Sequence, residues 1–140
     1  YTALGMRLIR MEPGEHDLHA AYVSHLSHIS SFVLANTVLT KETDAATIFD
    51  LAGGGFESTV RLAKSSPEMW TSVFVQNRAC VLRAVEDYME HLLEFHKVIA
   101  AGDEAGMKSL MLKANRIRRV LKNMGSRKIP PTGKFKGAQR

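Results

Sequence analysis

Apolar residues recur at helical spacing through most of the chain. Between residues 14 and 40, Leu18, Tyr22, Leu26, Ile29 and Val33 fall on one stripe at 100° per residue. The opening Glu12-Pro13-Gly14-Glu15 places acids at the positive end of that helix dipole. A different arc gathers Asp17, Ala21, Ser24, His25, His28, Ser31 and Ala35. It is small and polar, with room for a neighbouring chain or a ligand, while Val23 and Leu34 indicate a helix covered on most sides. Short helices over 43–51 and 56–64 flank Gly53-Gly54-Gly55. Ser66-Pro67 then supplies an N-cap and a first-turn proline. The helix they start runs to about Ala101, with Trp70, Phe74, Val81, Val85, Tyr88, Leu92, Phe95 and Ile99 at helical spacing. At ~1.5 Å per residue it is roughly 50 Å long. That exceeds one side of a 140-residue globule, so part of its cover is expected from a second subunit. Gly102-Asp103-Glu104 restarts a last helix to about Met124, with Gly125 as its C′ stop. Only residues 6–11 alternate like a strand, and nothing else in the chain can pair with them. The expectation is an all-α helical domain with one long helix, preceded by a short orphan strand.

That strand changes the view of the chain as a whole. The sequence opens at Tyr1 in the middle of an element. It reads as a fragment: residues 1–11 end an upstream domain that holds the rest of the sheet, 12–125 form the helical domain, and 126–140 are a basic tail. The formal net charge of +5 comes entirely from the tail. Arg127, Lys128, Lys134, Lys136 and Arg140 stand there without an acid, and the other fourteen basic residues match the fourteen acids. The folded part is neutral, which argues against nucleic acid as a partner. No apolar run reaches the ~18 residues of a membrane span, and no basic-then-apolar leader opens the sequence. Cys80 stands alone and reads as core, and a chain without disulfides fits a reducing, cytoplasmic compartment.

Candidate chemistry centres on residues 53–70. Three glycines leave bare backbone, Arg61 can take a carboxylate through two parallel hydrogen bonds, and Met69-Trp70 opens the long helix. Taken singly these are a linker, a surface cation and a core aromatic; together they resemble one wall of an anion pocket. The spacing is neither a dinucleotide fingerprint nor a phosphate loop. His16/His19 and His25/His28 are pairs three residues apart. Without a His-Glu-x-x-His, a Glu-x-x-His or a cysteine pair they argue against metal. They read either as satisfied helix histidines or, with Ser24, as hydrogen-bonding partners of a polar ligand. Glu86, Asp87, Glu90 and Glu94 form a solvated helix face, and Arg116, Arg118, Arg119 and Lys122 suit the C-terminal end of a helix.

In order and spacing, several residues together carry a family resemblance. These are His16-Asp17, Ser24-His25-Leu26-Ser27-His28, Gly53-Gly54-Gly55-Phe56, Arg61, Ala63-x-Ser65-x-Pro67-x-Met69-Trp70 and Asn77. Over residues 1 to about 100 the chain resembles the C-terminal helical domain of prephenate and arogenate dehydrogenases. The resemblance implies a homodimer through the long helices and an upstream Rossmann domain that binds NAD or NADP. Residues 6–11 become that domain's last strand. The implied reaction is oxidative decarboxylation of prephenate to 4-hydroxyphenylpyruvate, or of arogenate to tyrosine. Arg61 then holds a substrate carboxylate, and Ser24, His25 and His28 line the pocket. Gly54, Met69 and Trp70 approach it, partly from the partner subunit. No catalytic, cofactor-binding or metal-binding residue is assigned within these 140 residues, so the isolated chain is expected to be inactive. Two positions depart from the family pattern: Ser27 stands where a proline is usual, which suggests a milder kink, and Ser58 stands where an acid is usual, which removes an ion pair. The alternative class is a non-catalytic helical interaction module whose glycines merely link.

Overall fold

The computed structural model describes Met6, residues 8–42 and residues 47–125, without the side chains of Met124 and Gly125. The basic tail and part of the helix expected over 43–51 lie outside the described residues. Among these residues the chain is all helical. Met6 and residues 8–11 have no regular structure, a departure from the expected strand. A strand without a ladder partner leaves its backbone groups to water and does not form alone.

The first helix is continuous but not uniform. α1 (Pro13–Ala20) passes through a π-turn, Ala21–His25, into α2 (Leu26–Glu42). In the wide turn the Leu26 N–H reaches back five residues to the Ala21 carbonyl. The backbone irregularity therefore survives with serine at 27, whose hydroxyl donates to the Val23 carbonyl at 3.2 Å. The small polar arc is the face buried by this chain itself: Ala21, His25 and Ser31 are buried, whereas Tyr22 and Val33 of the apolar stripe are exposed. Small side chains let neighbouring elements come close on that side.

A 3₁₀ turn, Ile48–Leu51, precedes α3 (Gly54–Val60), and a second 3₁₀ turn, Arg61–Lys64, follows it. Gly53 is the N-cap of α3, and Gly54 and Gly55 lie in its first turn rather than in a loop. A Cβ at Gly53, Gly54 or Gly55 would meet nothing within 4 Å, so no contact among the described residues requires bare backbone there.

The long helix divides into α4 (Pro67–Gln76) and α5 (Arg78–Ala100), with the break at Asn77. Ser66 caps α4 as expected, accepting the Met69 N–H, with Pro67 at the first position. Its hydroxyl also donates to Glu68 at 2.7 Å, which holds that carboxyl below its ordinary pKa. Gly102, at φ 62°, ends α5: its N–H bonds the Ile99 carbonyl, and the Asp103 N–H bonds that of Val98. Asp103 then caps α6 (Glu104–Ala114) by accepting the Gly106 N–H at 2.9 Å. A break at Asn115-Arg116 separates α6 from α7 (Ile117–Gly125), where one helix was expected. Gly125 lies inside α7 rather than beyond it.

The residues divide into two compact units, one of them Glu12–His91. Its core is small: Ala21, Val81 and Ala84 are buried, and Ile29, Phe74, Cys80 and Val85 pack against them. On α5, Leu82 and Met89 are 48% and 55% exposed, two turns apart on one face. In the other unit, which includes Leu92 onward, Leu92, Leu93 and Ile99 are exposed. The long helix was expected to lack cover within one chain, and its exposed apolar residues match that.

Candidate functional site

The π-turn and α2 present two imidazoles toward α4. His25 is buried, edge-on to Trp70 and Phe74 at ring-centroid distances of 6.0 and 6.2 Å. His28 stacks on Trp70 at 3.5 Å and 26°. Burial lowers the pKa of His25, and the neighbouring His28 lowers it further. The Trp70 indole N–H is buried without a hydrogen-bond partner among the described residues. A buried orphan donor of this kind is uncommon and suits an acceptor supplied from outside the chain.

Each imidazole is held through Nδ1. The His28 Nδ1–H donates to the Ser24 carbonyl at 3.0 Å, so Ser24 contributes its backbone to the site. Asn77 approaches His25 Nδ1 with its amide nitrogen at 3.3 Å and donates to the Asp17 carbonyl at 2.7 Å. His16 and Asp17, exposed neighbours, pair with each other at 3.1 Å.

Arg61 reaches the neighbourhood by a different route. Ser31, 1% exposed, donates its hydroxyl to the Thr59 carbonyl at 3.0 Å and accepts the Ala63 N–H at 3.1 Å. Those two bonds bracket Arg61. Ser31 lies three residues after His28 on α2, about one helical turn along the same face. The side chain of Arg61 is exposed and has no hydrogen-bond or ion-pair partner among the described residues. Ser58, in place of the usual acid, donates to the Gly55 carbonyl at 2.9 Å. Removing the latch in Ser31→Ala strands a part-buried N–H and carbonyl and is expected to cost about 1–3 kcal/mol. Urea unfolding checks this, and an unchanged midpoint would show that the turn is held by other contacts.

Ser24, His25, His28 and Trp70 are thus brought together, with the Arg61 backbone anchored nearby. Met69 is 52% exposed and Gly54 is exposed in the first turn of α3; neither joins the cluster within this chain. Sequence reasoning missed Ser31 and Asn77 as working parts. Ser31 shares the small arc with His28, and Asn77, a poor helix former within an apolar helical run, marked the break. No group of three His, Cys, Asp or Glu side chains converges as a metal site among the described residues. Nor do those residues fit a dinucleotide. The glycines open a seven-residue helix, and no strand leads into them.

Residues 12–113 match the family model described as "Prephenate dehydrogenase, dimerization domain". The chain is 30% identical over 122 residues to prephenate dehydrogenase of Lactococcus lactis, covering 84% of this chain and 33% of that one. It therefore spans about a third of that relative's length. Among solved structures it is similar to Synechocystis arogenate dehydrogenase, with a TM-score of 0.78 and 26% identity, covering 86% of this chain and 44% of that one. It is also similar to prephenate dehydrogenase from Aquifex aeolicus, solved in complex with hydroxyphenyl propionate and NAD+. There the TM-score is 0.70 and the identity 33%, with 80% of this chain and 39% of that one covered.

Proposed function

Because the chain belongs to the prephenate dehydrogenase dimerisation-domain family, we propose that it forms the substrate-binding and dimerising half of a cytoplasmic prephenate dehydrogenase. The reaction is the oxidative decarboxylation of prephenate to 4-hydroxyphenylpyruvate in tyrosine biosynthesis. On this reading residues 12–125 are the helical domain and residues 1–11 end the domain that binds NAD. The cofactor is then held by that upstream domain, and the 140 residues alone are expected to support no NAD reduction. Arogenate is the alternative substrate, differing from prephenate only in an amine for a keto group.

The observation that carries the reading is the His28–Trp70 stack with its orphan indole N–H, beside His25 and one helical turn from the Arg61 anchor. A ring acid with two negative groups matches it. The aromatic face receives the ring, the indole N–H an oxygen, and a free guanidinium one carboxylate. Met69 and Gly54, which stand apart from the cluster in one chain, approach the substrate from the partner subunit.

Trp70 is the sole tryptophan of these 140 residues, and comparison with a Trp70→Phe control isolates its emission in a longer chain. Titrating the full-length dimer with hydroxyphenyl propionate is expected to give a saturable change in Trp70 emission. No change at millimolar ligand would overturn the pocket assignment. A saturable change combined with turnover of arogenate alone would keep the pocket and replace the substrate.

A further inference from the structure

The two imidazoles of the pocket each have one ring nitrogen committed, and to opposite kinds of partner. The orientation of the Asn77 amide is set by the Asp17 carbonyl at 2.7 Å. A carbonyl oxygen only accepts, so the atom facing it is the amide nitrogen. That nitrogen has a second hydrogen, and His25 Nδ1 lies 3.3 Å from it. Only a ring nitrogen without a proton can receive it. At His28 the arrangement is reversed. Its Nδ1 lies 3.0 Å from the Ser24 carbonyl, so that nitrogen carries the proton.

We propose that Asn77 is a positioning residue that holds His25 as the neutral Nε2–H tautomer, opposite in polarity to His28, which is held as Nδ1–H. The pocket then offers a fixed donor from His25 and, from neutral His28, a fixed acceptor at Nε2. The surroundings of His25 support the neutral form. From α4 the rings of Trp70 and Phe74 face it edge-on. The titratable groups that act on it are His28, Asp17 and His16. Burial and the two histidines disfavour an imidazolium, and Asp17 alone opposes them. Trp70 Nε1 is the buried side-chain polar atom left without a partner among the described residues. Among the described residues His25 Nε2–H has no partner either, and it stays available.

For the ligand, this deepens the proposed function and rests on it. His25 suits a carboxylate or keto oxygen and His28 a hydroxyl hydrogen. A ring acid carrying both groups satisfies the pair in one orientation only. A buried site of fixed polarity rejects the reversed pose, because one ring nitrogen is left against a like partner.

The test needs no substrate. Two-bond proton–nitrogen spectra of the 140-residue chain, labelled at histidine, are expected to show His25 as Nε2–H and His28 as Nδ1–H above neutral pH. In Asn77→Ala, His25 becomes a tautomer mixture and its titration midpoint rises toward that of a free imidazole, because the neutral form has lost its donor. Asn77→Asp moves His25 to Nδ1–H, and the His28 signals stay in place in both variants. An unchanged His25 pattern in folded Asn77→Ala overturns the proposal. If neither variant folds, the wild-type spectrum decides: His25 found as Nδ1–H, or charged at pH 7, overturns it. A failed tautomer test leaves the pocket's fluorescence response to hydroxyphenyl propionate standing, so the two readings fail separately.

Discussion

Replacing Arg61 with alanine in the full-length enzyme is expected to raise KM for the ring acid roughly 10- to 150-fold, with kcat changed far less. The range follows from about 1.5–3 kcal/mol for a charge-assisted hydrogen bond. The split holds where the bound group is the side-chain carboxylate, which is remote from the reacting carbon and is held equally in the ground and transition states, so that its binding is uniform. The backbone that carries this cation is fixed. Two Ser31 bonds hold the backbone on both sides of Arg61, while its guanidinium has no partner among the described residues. Arg61→Lys restores only part of the loss, because an ammonium lacks the planar fork. Steady-state kinetics decides the matter, and an unchanged KM in the alanine variant removes Arg61 from the substrate site.

Leu82→Asp combined with Met89→Asp is expected to convert the dimer to monomers. Both side chains are about half exposed in the single chain and lie on one face of α5. Burying the exposed half of a leucine or methionine against a partner contributes about 0.8–1.5 kcal/mol. A two-fold interface contains each position twice. A single site thus weakens the dimer by about 1.5–3 kcal/mol, or roughly one to two powers of ten in dissociation constant. Light scattering across a dilution series measures this. A dimer that persists in the double variant at micromolar protein would place the interface elsewhere.

Legibility in the sequence followed the range of the interaction. The start of α4 was readable because Ser66, Pro67 and the Met69 N–H are immediate neighbours. The end of α5 was readable for the same reason, since Gly102 and Asp103 close the turn over a few residues. The break at Asn77 was only hinted at by a poor helix former, because the amide that fixes it reaches a carbonyl sixty residues away. Periodicity found the two faces of the first helix but not which of them this chain itself buries. A hydrophobic stripe says that a surface must be covered, and in this chain alone much of it is not. The small arc is buried because it admits other backbone closely, a steric fact with little hydropathy signal. Within the site, the histidines and Trp70 were legible from their pattern and resemblance. Ser31 was not, because a buried hydroxyl that joins two elements looks like any other serine until both partners are known.

The wide turn at Ala21–His25 holds one more residue than an α-helical turn would. The segments on either side are continuous as a rod yet out of phase by one position, about 100° of rotation. Chains of this family that lack the extra residue would require a gap in register here, in the middle of a helix and far from any loop. Length variation at this point would swing Asp17 away from Asn77 while leaving the stretch from His28 onward untouched.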